Sequence, residues 1–121
     1  MKLHKTIVPK TIYHGRDKSI TVDYVRGYKI EQNQFDFDIY IQKEGYLWYV
    51  NIGGSLAMKY HTLKELKYSV LSDLNARIND DRTAIPQIKW ALTLLEYLEK
   101  NNGYADKDTI NNLHRQFEKD N

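Results

Sequence analysis

The chain has 121 residues and no cysteine, and its 18 Lys and Arg against 16 Asp and Glu give a formal net charge of +2. This length suits a single domain over residues 1–121. Without cysteine the chain has no disulfide, no thiolate metal ligand and no thiol nucleophile. No apolar run approaches the roughly 20 residues of a membrane-spanning helix, and the N-terminus lacks the apolar stretch of a signal peptide. We therefore predict a cytoplasmic protein that does not contact membranes.

Positive charge is concentrated at the N-terminus. Residues 1–18 carry five basic residues against the single acid Asp17, a net charge of +4, so the remaining residues carry −2. The five are Lys2, Lys5, Lys10, Arg16 and Lys18. Two β-prone segments flank Pro9, which cannot donate to a strand ladder, so this region is predicted to be a basic arm or an edge strand. Such an arm is compatible with phosphate or an acidic partner, and a solvated terminus also accounts for it.

Residues 19–60 predict an antiparallel β-meander. Apolar and polar residues alternate in 19–30, and Gly27 interrupts the pattern where a bulge is expected. The alternation returns in 35–42, and 46–52 is aromatic and β-branched, which favours a strand. Gly45 lies in the turn between them. Residues 55–60 are a candidate fourth strand after the two-residue turn signal of Gly53 and Gly54.

The register of the central hairpin is predicted from burial. An even loop that pairs Gln42 with Leu47 places six apolar side chains on one face, and a slip of one residue would expose half of them. The six are Phe37, Ile39, Ile41, Trp48, Val50 and Ile52. The other face then carries Tyr40 directly opposite Tyr49. For Leu56 and Met58, a two-residue turn predicts the outer face and an odd loop predicts the core, and the sequence leaves both open.

Three helices follow the strands. They are predicted over residues 62–79, 84–101 and 106–118, with N-caps at Thr62, Thr83 and Asp106. The first helix carries an apolar stripe that should cover the inner face of the sheet. The other two, joined by an Asn-Gly C-cap, should form a helical hairpin. The prediction is an α+β fold with a three- to four-stranded antiparallel sheet covered on one face.

No set of residues has the spacing of a catalytic or metal site. The four histidines, His4, His14, His61 and His114, are far apart in the chain. Asp36 and Asp38 share a strand face, as the carboxylates of a metal-dependent hydrolase would, but the neighbouring strand lacks the acid and lysine of a hairpin nuclease. Gly53 and Gly54 are not followed by the lysine and hydroxyl residue of a P-loop. We predict a protein that is not an enzyme and uses no metal or cofactor.

The outer face of the predicted hairpin is the strongest candidate for a function. Its candidate protein-binding residues are Tyr40, Leu47, Tyr49, Asp36 and Asp38. Exposed tyrosines are enriched at protein interfaces, they also stack on unpaired bases, and a cross-strand pair of them can simply stabilise a hairpin. The sequence therefore predicts a protein-binding module whose partner, including a second copy of the chain, is left open.

The alternative function is binding of single-stranded nucleic acid or DNA. It would combine the sheet tyrosines with phosphate contacts from the basic residues. Those residues are Lys2, Lys5, Lys10, Arg16, Lys18 and Lys43.

The tyrosine-rich hairpin over residues 35–52, followed by a capped helix from Thr62, resembles the general style of small phage and mobile-element proteins, including anti-CRISPR inhibitors. The richness in Lys, Asn, Ile and Tyr is typical of low-GC bacteria and their phages. This resemblance implies an accessory protein or an inhibitor of a host protein. Many such inhibitors are strongly acidic DNA mimics, and a chain with a net charge of +2 departs from that pattern.

Overall fold

The computed structural model describes all residues, 1–121. The strands are β1 (Leu3–His14), β2 (Ser19–Ile30), β3 (Tyr40–Glu44), β4 (Leu47–Ile52), β5 (Ser55–Tyr60) and β6 (Tyr104–Ala105), and the helices are α1 (Leu63–Asp80), α2 (Ala84–Lys100) and α3 (Lys107–Asp120). Strands β1 to β5 lie side by side in chain order as an antiparallel sheet, and β6 pairs with β2. The predicted α+β fold is confirmed, with more strands than predicted. None of the helices combines the length and apolar character needed to cross a membrane.

The N-terminal residues form a complete edge strand. β1 pairs with β2 along its whole length, from Leu3 opposite Ile30 to His14 opposite Ser19. Because β1 is the first strand of the sheet, Pro9 occupies the edge position in which its missing N–H is tolerated. Two of the basic N-terminal residues, Lys5 and Lys10, are therefore part of the sheet.

The long β1–β2 hairpin bends across the rest of the sheet. At its far half the backbone N–H of Thr11 donates to the carbonyl of Gly54 at 3.0 Å, which joins β1 to the β4–β5 turn. The bend requires a glycine in β2, because a Cβ at Gly27 would lie 2.3 Å from the carbonyl oxygen of Ile41. The hairpin thereby covers part of the outer face of β3 and β4.

The β3–β4 hairpin has an even register with a shorter loop than predicted. Glu44 lies opposite Leu47, so Gly45 and Tyr46 alone make the turn, and Gly45 has the positive φ of 60° that favours glycine. The register differs from the predicted one by two residues, which leaves every side chain on its predicted face. The inward-facing apolar set is therefore as predicted.

The prediction that Tyr40 pairs directly with Tyr49 is wrong. Tyr40 lies opposite Asn51, and Tyr49 lies opposite Gln42. The same two-residue shift explains the difference, since it moves the partner of each residue along the strand. The two tyrosines are consequently diagonal neighbours on one face.

The first part of the predicted strand 35–42 is irregular. The side-chain carbonyl of Asn33 accepts a hydrogen bond from the N–H of Phe35 at 2.7 Å, and its amide donates to the carbonyl of Phe37 at 3.4 Å. These local bonds compete with a strand ladder. The rings of Phe35 and Phe37 stack 5.5 Å apart and pack against the core, where both are half-buried without belonging to a strand.

Strand β5 combines both of the alternatives left open by the sequence. The two turn glycines at 53–54 have positive φ, and the first residues of the strand pair so that Leu56 stays on the outer face, where it is exposed. A register shift then turns Met58 toward the core. Nη1 of Arg77 in α1 donates to the carbonyl of Ala57 at 2.7 Å, next to this irregularity.

The main core lies between the sheet and α1. Its buried residues are Ile30, Ile39, Ile41, Val50, Ile52, Tyr60, Leu66, Val70 and Leu74. A second cluster is formed by Leu94, Leu98 and Ala105, against which β2 and α3 pack. The predicted cover of the inner face by a helix is confirmed, and the C-terminal helices pack on β2.

The N-cap residues of α1, α2 and α3 are Thr62, Thr83 and Asp106, as predicted, but only two of them cap through their side chains. Thr62 and Asp106 accept backbone hydrogen bonds from the first turns of α1 and α3, at 3.0 and 2.8 Å. Thr83 makes no cap bond through its side chain. Instead, the carboxylate of Asp81 accepts from the hydroxyl and the N–H of Thr83 at 2.7 and 2.8 Å, which holds the pKa of this carboxyl below its ordinary value.

Candidate functional site

The centre of the predicted protein-binding face is covered. Gln42 and Asn51 occupy it and are only 1% and 0% exposed. The amide nitrogen of Asn51 donates to the carbonyl of Pro9 at 2.9 Å and to Oε1 of Gln42 at 2.7 Å. Its Oδ1 accepts from the N–H of Gly54 at 3.0 Å. This part of the face is therefore an internal polar contact between the β1–β2 hairpin and the sheet.

The five predicted protein-binding residues differ in their exposure. Tyr40, Leu47 and Tyr49 are half-buried, whereas Asp36 and Asp38 are exposed. Tyr40 and Asp38 line a groove beside α2, and Asp36 lines a neighbouring groove along the loop before β3. Burial raises the pKa of Tyr40, and the nearby Asp38 carboxylate raises it further.

The groove beside α2, called the tyrosine groove below, has a volume of about 490 Å³ and contains a second tyrosine. The hydroxyl of Tyr24 donates to Oε2 of Glu99 at 3.1 Å. Burial and this hydrogen bond raise the pKa of Tyr24. The Asp38 carboxylate, which also lines the groove, forms an ion pair of 3.3 Å with Lys29. The groove therefore combines tyrosine rings with carboxylates, and it also contains Lys100, which is paired with Glu96.

A second concave surface, called the basic cleft below, collects positive charge from three strands. Its lining includes Lys5 of β1, Arg26 of β2 and Lys43 of β3, together with the rings of Tyr28 and Trp48. The cleft has a volume of about 530 Å³, and no acidic residue lines it. The charge is therefore not neutralised within the cleft.

Strand pairing brings the parts of the basic cleft together. Lys5 lies opposite Tyr28 in the β1–β2 ladder, and Lys43 lies opposite Trp48 in the β3–β4 ladder. Arg26 precedes Tyr28 by two residues and so shares its face of β2. All three cations are exposed, and none takes part in the four ion pairs of the molecule. They are thus available to an external anion.

Aromatic rings accompany the charge in the basic cleft. The ring centroids of Tyr28 and Trp48 are 6.4 Å apart with an interplanar angle of 41°, and both side chains pack against the main core. Nζ of Lys43 lies 5.7 Å from the centroid of the Trp48 ring, within the range of a cation–π contact. Tyr46 does not line the cleft; it lies in the turn between β3 and β4 and is 94% exposed.

The structure brings together two of the six residues predicted to contact phosphate, Lys5 and Lys43. Lys10 forms an ion pair with Glu44 across the sheet. The other three lie before β1 and in the β1–β2 turn, outside the cleft, and are Lys2, Arg16 and Lys18.

Arg26 was not predicted as a site residue from the sequence, and Trp48 was predicted only as a core residue. The available signal was the alternation of Arg26 and Tyr28 in β2, which places a cation beside an aromatic ring on one face. Their approach to Lys43 and Trp48 depends on how β2 pairs with β3, where Tyr28 lies opposite Ile41.

No group of three or more His, Asp or Glu side chains lies close enough together to hold a metal ion. Two of the four histidines contact local partners: Nε2 of His14 lies 2.8 Å from the Thr21 hydroxyl, and Nδ1 of His114 lies 2.8 Å from Glu118. Comparison of the chain with protein-family models, with curated protein sequences and with solved structures found no match in any of the three.

Proposed function

We propose that the protein is a non-enzymatic nucleic-acid-binding module that contacts phosphates through the basic cleft. The observation that supports this proposal is the convergence of Lys5, Arg26 and Lys43 in one concave surface without a carboxylate. Lys and Arg supply most phosphate contacts in protein–nucleic acid complexes. The planar guanidinium of Arg26 also matches the geometry of two phosphate oxygens.

Electrostatic repulsion within the cleft favours an anionic ligand. Three positive side chains that line the same concavity repel one another when no anion is bound. A phosphate placed among them replaces this repulsion with attraction, and a concave surface of one sign concentrates its field on the ligand. The same charges would increase the rate of association with a polyanion at low ionic strength.

The chemistry of the basic cleft suits binding more than catalysis. Its lining contains hydroxyl groups from Thr6 and Tyr28 but no carboxylate or imidazole, the groups that most often act as general bases. A binding role in the cytoplasm, where RNA and DNA are accessible, is the function that we propose.

Fluorescence anisotropy of a labelled oligonucleotide tests this proposal. Arg26→Gln and Lys43→Gln should each weaken binding, because each removes a cation from the cleft. The matched control is Lys107→Gln, which changes the net charge by the same amount at the start of α3, outside the cleft. An equal loss of affinity in the control would show that binding depends on overall charge and would contradict a defined site.

Protein binding through the tyrosine groove is a second candidate. It is favoured by the placement of Tyr24 and Tyr40 beside Asp38 and Glu99 in one groove, since tyrosines are common anchors at interfaces and carboxylates suit a basic partner segment. In this role the chain would be an accessory protein or an inhibitor of a host protein, as its resemblance to small phage and mobile-element proteins implies.

A pull-down from bacterial lysate separates the two candidates. Capture of a protein from nuclease-treated lysate by the wild type, but not by Tyr24→Ser, would support the tyrosine groove. Proteins that are recovered only without nuclease treatment, and are lost with Arg26→Gln, would support the basic cleft.

A further inference from the structure

The Trp48 ring lines the basic cleft and is half-buried. The ammonium of Lys43 lies over this ring, 5.7 Å from its centroid. The Tyr28 ring meets Trp48 at an angle of 41°, so it does not stack in parallel on the indole. Lys43 is exposed and has no carboxylate partner, which leaves its long side chain free to move away from the ring.

Accepting the proposed function of the basic cleft, we infer that its ligand is single-stranded nucleic acid, one unpaired base of which stacks on Trp48. The base takes the position over the indole that Lys43 occupies in the free protein. The released ammonium of Lys43 then contacts a neighbouring phosphate, with Lys5 and Arg26 on the adjacent backbone. The three cations and the Trp48 ring would therefore contact the same few nucleotides of the ligand.

Base stacking on Trp48 requires a base that has left its helix. In a duplex the faces of the bases are covered by their neighbours, and only the base edges are accessible in the grooves. Aromatic side chains in a positively charged groove are typical of proteins that bind single strands, because every base offers a π-face. A tryptophan inside a cleft lined by seven residues suits a splayed base better than the convex surface of a duplex.

Tyr46 provides a second stacking position. Its side chain is 94% exposed, and it lies in the two-residue turn between the strands that carry Lys43 and Trp48. An aromatic ring in this position contributes little to the core. A second base, next to the one on Trp48, would stack on the Tyr46 ring.

The test uses three probes of equal length: oligo(dT), oligo(U) and a DNA duplex. In a Trp90→Phe background Trp48 is the sole tryptophan, so its emission reports stacking directly. We expect both single strands to quench Trp48 and to bind about tenfold or more tightly than the duplex. The ratio of the two single-strand affinities shows whether DNA or RNA is preferred. Duplex binding as tight as single-strand binding, or no quenching, would overturn the inference.

Variants separate stacking from charge. Trp48→Leu and Tyr46→Ser should each weaken single-strand binding about tenfold, whereas Trp48→Phe, which keeps a ring, should lose less. Because Tyr46 is almost fully exposed, Tyr46→Ser remains informative if Trp48→Leu does not fold. Wild-type affinity in Tyr46→Ser together with unquenched Trp48 emission would contradict stacking.

Inorganic polyphosphate, which has no bases, distinguishes failure of this inference from failure of the proposed function. If polyphosphate and both oligonucleotides bind equally, and Arg26→Gln weakens all three, the cleft binds phosphate and the stacking inference is wrong. If no oligonucleotide binds at low salt, the proposed function itself is wrong.

Discussion

The side-chain amide of Asn51 donates a hydrogen bond of 2.9 Å to the carbonyl of Pro9, 42 residues earlier in the chain. Both residues are buried. Pro9 has no N–H to offer a neighbouring strand, so its carbonyl is the polar group through which it joins the network. This hydrogen bond holds the β1–β2 hairpin against β4. It thereby helps to fix the positions of Lys5 and Arg26 relative to β3 and β4.

Removal of the Asn51 side chain should be strongly destabilising. Asn51→Ala leaves the buried carbonyl of Pro9 and the N–H of Gly54 without their partner, and we expect a loss of about 2–4 kcal/mol in the free energy of unfolding. Urea unfolding followed by circular dichroism measures it. Asn79→Ala, at an exposed position of α1, should change stability by less than about 0.5 kcal/mol. Equal effects of the two substitutions would contradict the role of Asn51.

Because β2 lies very close to β3 at Gly27, we expect that replacement of Gly27 lowers the stability of the fold. In Gly27→Ala the new methyl group would lie 2.3 Å from the carbonyl oxygen of Ile41 and 2.7 Å from Val8, so the strands must separate, at a cost of about 1–3 kcal/mol or more. The control is Gly15→Ala, whose Cβ would meet only Tyr13, at 3.9 Å. The thermal midpoint should fall for the first variant and stay near the wild-type value for the second.

The hydroxyl of Tyr60 ties β5 to α1, since it donates to Oδ2 of Asp73 at 2.7 Å. Tyr60→Phe should reduce stability at neutral pH by about 1–2 kcal/mol, because the bond has a charged acceptor and is partly buried. Tyr68→Phe, at a position that is 90% exposed, is the matched control. A variant as stable as the wild type would show that this bond contributes nothing.

Ionisation of the Tyr60 hydroxyl should also make the stability of the protein depend on pH in the alkaline range. Burial, together with the Asp73 carboxylate, raises the pKa of Tyr60 above its ordinary value of 10.0. A group with a raised folded-state pKa stabilises the fold fully below the unfolded-state pKa and loses that contribution as pH rises toward the folded-state value. The stability difference between wild type and Tyr60→Phe should therefore shrink above about pH 10. A constant difference between pH 9 and pH 11 would be inconsistent with this shift.

The two threonines before α1 and α2 should differ in their contribution to stability. Thr62→Ala removes the acceptor of a 3.0 Å hydrogen bond from the N–H of Glu65, and we expect a loss of about 1 kcal/mol. Thr83→Ala should cost less, since the Thr83 side chain caps no backbone N–H of α2. Chemical unfolding of the two variants measures the contrast, and a larger loss in Thr83→Ala would contradict the assignment of the caps.

Local patterns predicted the faces of the strands but not their long-range pairing. The alternation around Ile41 and Val50 put both in the core, because the period of a strand depends only on neighbouring residues. The complete pairing of β1 and the bend at Gly27 depend on contacts of Pro9 and Asn51 that are distant in sequence. The breaks in residues 31–39 and in β5 lie beside hydrogen bonds from the side chains of Asn33 and Arg77 to backbone groups.

The basic cleft was only partly predictable for the same reason. The positive charge of Lys5 and Lys43 was visible in the sequence, although the first was assigned to an arm. Lys5 and Lys43 lie close to Arg26 and Trp48 because of three strand pairings, β1 with β2, β2 with β3 and β3 with β4. Local sequence patterns do not predict these pairings. The centre of the predicted tyrosine face is buried because Gln42 and Asn51, which lie on that face, hydrogen-bond to each other and Asn51 also to Pro9.

The central claim, that three cations in the basic cleft bind phosphates, is tested most directly by the salt dependence of oligonucleotide binding. For single strands the logarithm of the binding constant falls with the logarithm of salt concentration by about 0.7 per neutralised phosphate, so Lys5, Arg26 and Lys43 together predict a slope of about −2. Replacement of all three by Gln should bring the slope close to zero. A slope that is unchanged in the triple variant would contradict the account.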